Sequence, residues 1–307
     1  MSVLVDRGAR VLVQGITGRQ ASWSARDMAA YGTRVVAGVV PGKGGTTHEG
    51  VPVFDFVADA VAATGANASV VYVPAAGACA AVAEALEAGL KLVVYPGDGL
   101  PIHDAIRLRR LARAHGTVLI GPNTPGVISP GQAKLGFMPS SCFTPGPLGI
   151  VTKSGSLSYE TCWRLTGAGI GQSTVIGVGG DPVKGLTIGE ALELFDGDGE
   201  THGVLVIGEI GGTEEYRVAD YVQRSGAKPV AAFLVGRTAP PGRKLGHAGA
   251  LIGGEREGYW AKVEALEAAG VRVARRLSDI VPEVRLIIDP ASLPVRSTEC
   301  RTTERNA

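Results

Sequence analysis

Long apolar runs, excess charge of either sign and aromatic side chains are all in short supply in this chain. Aromatics make up 5% of 307 residues, and 30 Lys and Arg nearly cancel 29 Asp and Glu. No apolar stretch approaches the roughly 18 residues that a bilayer-spanning helix requires, so membrane insertion is not expected. A net charge of +1 leaves no extended basic surface, so nucleic acid is not expected as a partner. Cysteine occurs only at Cys79, Cys142, Cys162 and Cys300, without a C-x-x-C pair or a metal-ligand spacing. These read as free thiols of a reducing, cytoplasmic setting, and no metal site is expected. Asp6, Arg7 and Arg10 precede the first apolar run, a pattern that predicts neither a signal peptide nor a transit peptide.

Glycine is plentiful, at 45 residues, and hydrophobic residues reach 45%. That combination suits α/β domains with glycine-rich strand-to-helix turns, and the length predicts two of them. Apolar strand candidates at 11–14, 34–39, 69–73, 90–94 and 117–120 alternate with helical patterns such as 77–87 and 102–115. They predict a Rossmann-like domain over 1–122. Residues 123–147, dense in Pro, Gly, Ser and Thr, read as an interdomain connector. Strands at 149–152, 172–178, 203–207, 229–235 and 272–274, with helices at 187–195, 214–224 and 258–269, predict a flavodoxin-like doubly wound domain over 148–288. The polar segment 289–307 is expected to be a disordered tail.

Gly246-His247-Ala248-Gly249-Ala250 sets one imidazole among small residues in a loop. With an ordinary pKa of about 6.5, histidine keeps a free ring nitrogen at neutral pH and can attack phosphorus without a helper base. A lone loop histidine is more often without a role, so its companions matter. Gly208-Glu209-Ile210-Gly211-Gly212 closes the apolar run 203–207, which sets Glu209 at the carboxyl end of a buried strand. There it can accept the Nδ1 proton of His247 and leave Nε2 nucleophilic; the plainer reading is a solvated strand-end glutamate. Ser154-Gly155-Ser156-Leu157-Ser158-Tyr159 lies between a strand and a helix, where free amides and the helix dipole make a phosphate site. A helix cap alone would account for one of those serines.

Gly15-Ile16-Thr17-Gly18-Arg19-Gln20 follows the first strand but lacks the complete G-x-G-x-x-G spacing of dinucleotide binders. In Pro41-Gly42-Lys43-Gly44-Gly45-Thr46 a lysine stands after the second strand, where an acid for a bare ribose is usual. Lys43 suits a phosphate-bearing nucleotide, such as the 3′-phosphate of coenzyme A. Tyr72-Val73-Pro74 and Pro96-Gly97-Asp98-Gly99 fall on the same strand edge.

Together with Gly121-Pro122-Asn123-Thr124-Pro125-Gly126 and Gly179-Gly180-Asp181-Pro182, these motifs resemble, in order over residues 5 to 288, the α subunit of succinyl-CoA synthetase. The resemblance implies an ADP- or GDP-forming acid-thiol ligase, with coenzyme A on the Rossmann-like domain. Mg-ATP or Mg-GTP would be held by an ATP-grasp β subunit in an αβ or α2β2 assembly. By resemblance His247 is the phosphorylated residue and Glu209 steadies it. The same resemblance places Thr17, Gly18, Arg19, Gln20, Lys43, Pro96, Gly97 and Asp98 where the family contacts CoA. It also matches Tyr159 to a tyrosine at the family's small dicarboxylate site, and Ser154, Gly155 and Ser156 to the helix start that receives the phosphate. Ser140-Ser141-Cys142-Phe143-Thr144 lacks the histidines usual in succinate enzymes, and Glu255-Arg256-Glu257-Gly258-Tyr259-Trp260 replaces a smaller loop. These departures leave room for a malate or other dicarboxylate paralogue, or for a CoA-binding regulatory protein without turnover. An NAD-dependent oxidoreductase fits the first half alone.

Overall fold

The computed structural model describes residues 2–224 and 226–289; the tail expected at 290–307 lies outside them. Two seven-stranded sheets form the chain. The first contains β1 (Arg10–Gln14), β2 (Arg34–Val39), β3 (Thr47–His48), β4 (Val51–Phe54), β5 (Ala68–Val71), β6 (Leu92–Val94) and β7 (Val118–Ile120). Its helices are α1 (Arg19–Ala30), α2 (Val57–Thr64), α3 (Ala75–Glu87) and α4 (Ile102–His115). The spatial order β3-β4-β2-β1-β5-β6-β7, with only β3 antiparallel, contains the Rossmann order. The switch in winding falls between β1 and β5, so the turns after these two strands flank one crevice.

The second sheet begins earlier than the sequence pattern suggests. Residues 123–147 carry β8 (Gly126–Ser129) and β9 (Ala133–Gly136), an antiparallel pair on the edge of the second sheet. A Pro- and Gly-dense composition concealed them, and glycine here marks contact between backbones. Gly126 and Gly136 pair directly, and a side chain on Gly126, at φ +103°, would collide with the Leu135 carbonyl. β3 and β4 escaped notice for a related reason: two and four residues are too few to display a period.

The parallel strands that follow are β10 (Pro145–Thr152), β11 (Gln172–Gly177), β12 (Gly203–Glu209), β13 (Val230–Val235) and β14 (Arg272–Ala274). They interleave with α5 (Gly155–Gly167), α6 (Ile188–Glu193), α7 (Tyr216–Val222), α8 (Tyr259–Ala268) and α9 (Ile280–Ile288). Their order, β14-β13-β12-β10-β11-β8-β9, is the flavodoxin-like winding with an added edge hairpin. β10 and β12 straddle its switch point. Both sheets are buried on two faces, and their strands accordingly read as continuous Val, Ile and Leu runs.

The hairpin also joins the lobes. Lys134 on β9 is wholly buried and pairs with Asp27 of α1, and Ser24 of α1 donates to the Gly136 carbonyl at 3.2 Å. On another face, Arg113 of α4 reaches Glu190 of α6 at 2.6 Å. Among the described residues, no helix is long and apolar enough to cross a membrane.

Candidate functional site

Glu209 is the last residue of β12 and lies almost wholly inside. His247 stands on a short loop in which Leu245 donates to the Ala250 carbonyl at 3.0 Å and Ala250 to the His247 carbonyl at 3.1 Å. The structure brings the two side chains together: Nδ1 of His247 lies 2.8 Å from Oε2 of Glu209. This bond raises the imidazole pKa; partial burial opposes the shift, and the charges of Glu209 and Asp181 add to it. Lys153 acts in the other direction, so its ammonium lies within electrostatic reach of the ring. Gly180 packs flat against the imidazole, and its carbonyl accepts from the Gly249 amide at 3.1 Å.

Ser154, Gly155 and Ser156 open α5 at the carboxyl end of β10, next to β12. The Ser154 hydroxyl caps the helix by accepting from the Leu157 amide at 3.4 Å, and Ser156 is exposed. Lys153, immediately before the cap, bonds Oε1 of Glu215 at 2.7 Å. A polar cavity of about 750 Å³ adjoins these groups, with Lys153, Asp181, Lys184, Glu209, Glu214 and Gly249 in its wall. Sequence reasoning assigned no role to Lys153, Asp181 or Glu215. Their signal was present only for Lys262, which pairs with Glu215: it occupies the buried stripe Tyr259, Lys262, Val263 and Leu266 of α8, and a lysine there needs a buried acid.

In the first lobe a cavity of about 380 Å³ is lined by Gly18, Arg19, Gln20, Pro96, Gly97 and Asp98, with Tyr72 and Phe137 also in its wall. It opens at the start of α1, whose cap residue Gly18 offers no side-chain acceptor, so the first amides of the helix are free to face an anion. Gly15 is required there, since a β-carbon would stand 2.6 Å from the Tyr72 carbonyl oxygen. Thr17 and Lys43 lie at the adjoining turns and meet each other, Nζ donating to Oγ1 at 3.0 Å. The cradle is open, glycine-lined and cationic at one rim, which fits a phosphate-bearing adenosine with a long arm.

One turn joins this cavity to the His247 loop. The Asn123 amide donates to the Gly97 carbonyl at 2.7 Å, the Asn123 carbonyl accepts from Gly180 at 3.1 Å, and Nδ2 of Asn123 donates to Asp181 at 3.0 Å. A third cavity, of about 500 Å³, runs along it between Asp98 on one side and Lys244, Gly246 and Ala248 on the other.

Tyr159 lies elsewhere on α5, one turn beyond Gly155, where its hydroxyl would be 3.5 Å from a β-carbon on that glycine. Burial, with Cys142 nearby, pushes its phenol up to about 12. Among the described residues no group of three or more His, Cys, Asp or Glu side chains is placed to hold a metal ion. The divergent loop at 255–260 has a structural part here: the Glu257 carbonyl accepts from Gly211 at 2.9 Å, two residues beyond Glu209.

A CoA-binding domain model matches residues 6–96, and a CoA-ligase model matches residues 151–272. The chain is 51% identical over 289 residues to succinate–CoA ligase [ADP-forming] subunit alpha 1 of Archaeoglobus fulgidus, covering 94% of this chain and 99% of that one. It is 49% identical over 290 residues to the corresponding alpha subunit of Aquifex aeolicus, covering 94% and 95%. Among solved structures, ATP citrate lyase of Methanothrix soehngenii, determined with citrate and coenzyme A, superposes with a TM-score of 0.84 at 24% identity. That alignment covers 94% of this chain but spans only 50% of the lyase chain, and at this identity it establishes the fold alone.

Proposed function

Because the chain belongs to the family of succinate–CoA ligase [ADP-forming] α subunits, we propose that it carries the phosphoryl group of that reaction on Nε2 of His247. It is a ligase subunit with a CoA-binding domain, and membership implies a partner subunit. Our reading gives that partner an ATP-grasp fold and the Mg-nucleotide. The acid is succinate; the malate and non-catalytic alternatives are not favoured by relatives at 45–51% identity.

The observation that carries the reading is the 2.8 Å bond between His247 and Glu209. A carboxylate on Nδ1 fixes the tautomer whose Nε2 lone pair is free. As Nε2 bonds to phosphorus, positive charge develops on the ring, and Glu209 stabilises it. The phosphoryl group then passes to the substrate carboxylate, giving an acyl phosphate. The amides at the start of α5, with the Ser154 and Ser156 hydroxyls, supply donors for the phosphate oxygens. Coenzyme A, when bound, supplies the thiol that attacks the acyl carbon and releases phosphate. Gly18, Arg19, Gln20 and the 96–98 turn hold its nucleotide end, with Lys43 and Thr17 at the rim. Tyr159 borders the acid.

The test is direct. Incubated with its partner subunit and labelled Mg-ATP, the chain acquires an acid-labile, base-stable phosphate, and His247→Asn acquires none. A label that survives this substitution refutes the assignment.

A further inference from the structure

Glu215 and Lys262 are completely buried, and neither enters the chemistry above. Lys262 Nζ donates to Oε2 of Glu215 at 2.5 Å, to the Glu209 carbonyl at 2.8 Å and to the Gly211 carbonyl at 2.8 Å, which uses all three of its protons. The other carboxylate oxygen of Glu215 accepts from the Glu209 amide at 3.2 Å and from Lys153 at 2.7 Å. The peptide groups on both sides of the Glu209 α-carbon are therefore clamped by one ion pair.

Such a pair is poor value as a source of stability, because desolvating two charges offsets most of their attraction and well-packed apolar residues often do as well. What it does supply is direction. The clamped turn includes Gly211, at φ +85°, where a side chain would run into the Gly249 carbonyl of the His247 loop. A shift of this turn moves the Glu209 carboxylate and one wall of the histidine loop together. Lys153 extends the clamp to the residue preceding the Ser154 cap, and its own amide donates to the Ile207 carbonyl at 3.1 Å.

We propose that the Glu215–Lys262 pair is a positioning device that aims the Glu209 carboxylate at Nδ1 of His247 and, through Lys153, keeps it in register with the start of α5. The proposal rests on the reading of His247 as the phosphorylated residue. Neither Glu215 nor Lys262 touches a reacting atom; both act through the Glu209 backbone.

The test compares the full chain with Lys262→Met/Glu215→Gln, which removes one charge of each sign, and with Lys262→Arg, which keeps the charge. The arginine fork is planar and cannot serve three acceptors gathered around one nitrogen. Two quantities are read: the rate of His247 phosphorylation with the partner subunit and labelled Mg-ATP, and the titration of His247 in the full chain by NMR. The paired variant should label about 100-fold more slowly, the scale expected of a misplacement near 1 Å, with the His247 pKa returned toward its ordinary value. Lys262→Arg should label about tenfold more slowly without loss of folding. In a Glu209→Gln background, Lys262→Met should add no further loss, since the group being aimed is gone. A folded Lys262→Arg chain, or a folded paired variant, with the parental rate and titration overturns the proposal. An equal loss with and without Glu209 does so too. If the parent acquires no phosphate, the proposed function falls, while the titration still decides the positioning.

Discussion

Gly180 faces the His247 ring so closely that a β-carbon on it would stand 2.5 Å from Nδ1. The same glycine donates to the Asn123 carbonyl, and Asn123 in turn donates to Gly97 in the wall of the first-lobe cavity. The imidazole is thus seated against a backbone chain that ends in the other lobe.

Gly180→Ala should displace the ring from Glu209. Phosphorylation of His247 is expected to fall about 100-fold, with the melting temperature within about 2 °C of the parent. Labelling rate and calorimetry on one preparation check this; an unchanged rate would show that the ring does not depend on this seat.

The His247–Glu209 bond also makes a signed prediction about pH. The folded-state pKa of His247 is raised, so its contribution to stability is complete below the unfolded value of about 6.5 and disappears as pH rises through the folded value. Glu209→Gln should therefore cost most stability below about pH 6 and progressively less above it. Denaturant titrations at several pH values measure the difference; a gap that widens with pH would contradict the assignment.

Glu190 predicts the opposite sign. Burial opposes its ionisation, but bonds from Thr187 and Arg113 outweigh this and hold the carboxyl below its usual range. Its contribution is present above the unfolded value of about 4.3 and is lost as pH falls. Glu190→Gln should destabilise by about 1 kcal/mol or less at pH 7, since Arg113 is largely exposed. In denaturant titrations the gap between the two chains should close as pH falls below about 4.3 and through the lower folded-state value, and a gap that persists in acid beyond that value would contradict the assignment.

Lys43→Ala should weaken coenzyme A binding by about tenfold, the scale of one charge-assisted bond. The loss should shrink as salt is raised. Calorimetric titration of the full chain measures it, and an affinity unchanged at low salt would remove Lys43 from the site.

Much of this architecture was legible in the chain. Strand 34–39 and helix 102–115 fall where periodicity sets them, because each is bounded by turns and long enough to show its pattern. The β8–β9 hairpin was not legible: four-residue strands among glycines and prolines look like a linker, and what makes them strands is a partner, β11, nearly fifty residues away. Lys262 lay between these cases. Its place on an apolar stripe announced a buried charge, yet nothing nearby in sequence identified Glu215, 47 positions earlier, as its counterpart.

Local order therefore determined the two α/β windings, the edges on which their loops collect, and the presence of His247 in such a loop and of Glu209 at the end of a strand. Those properties depend on the alternation of apolar runs and turns, which neighbouring residues settle among themselves. Only the tertiary structure decided that Glu209 meets His247 and that a buried ion pair holds its backbone. It also decided that Asn123 ties the two lobes together. Each of these joins groups far apart along the chain, and their geometry exists only once both sheets have closed around it.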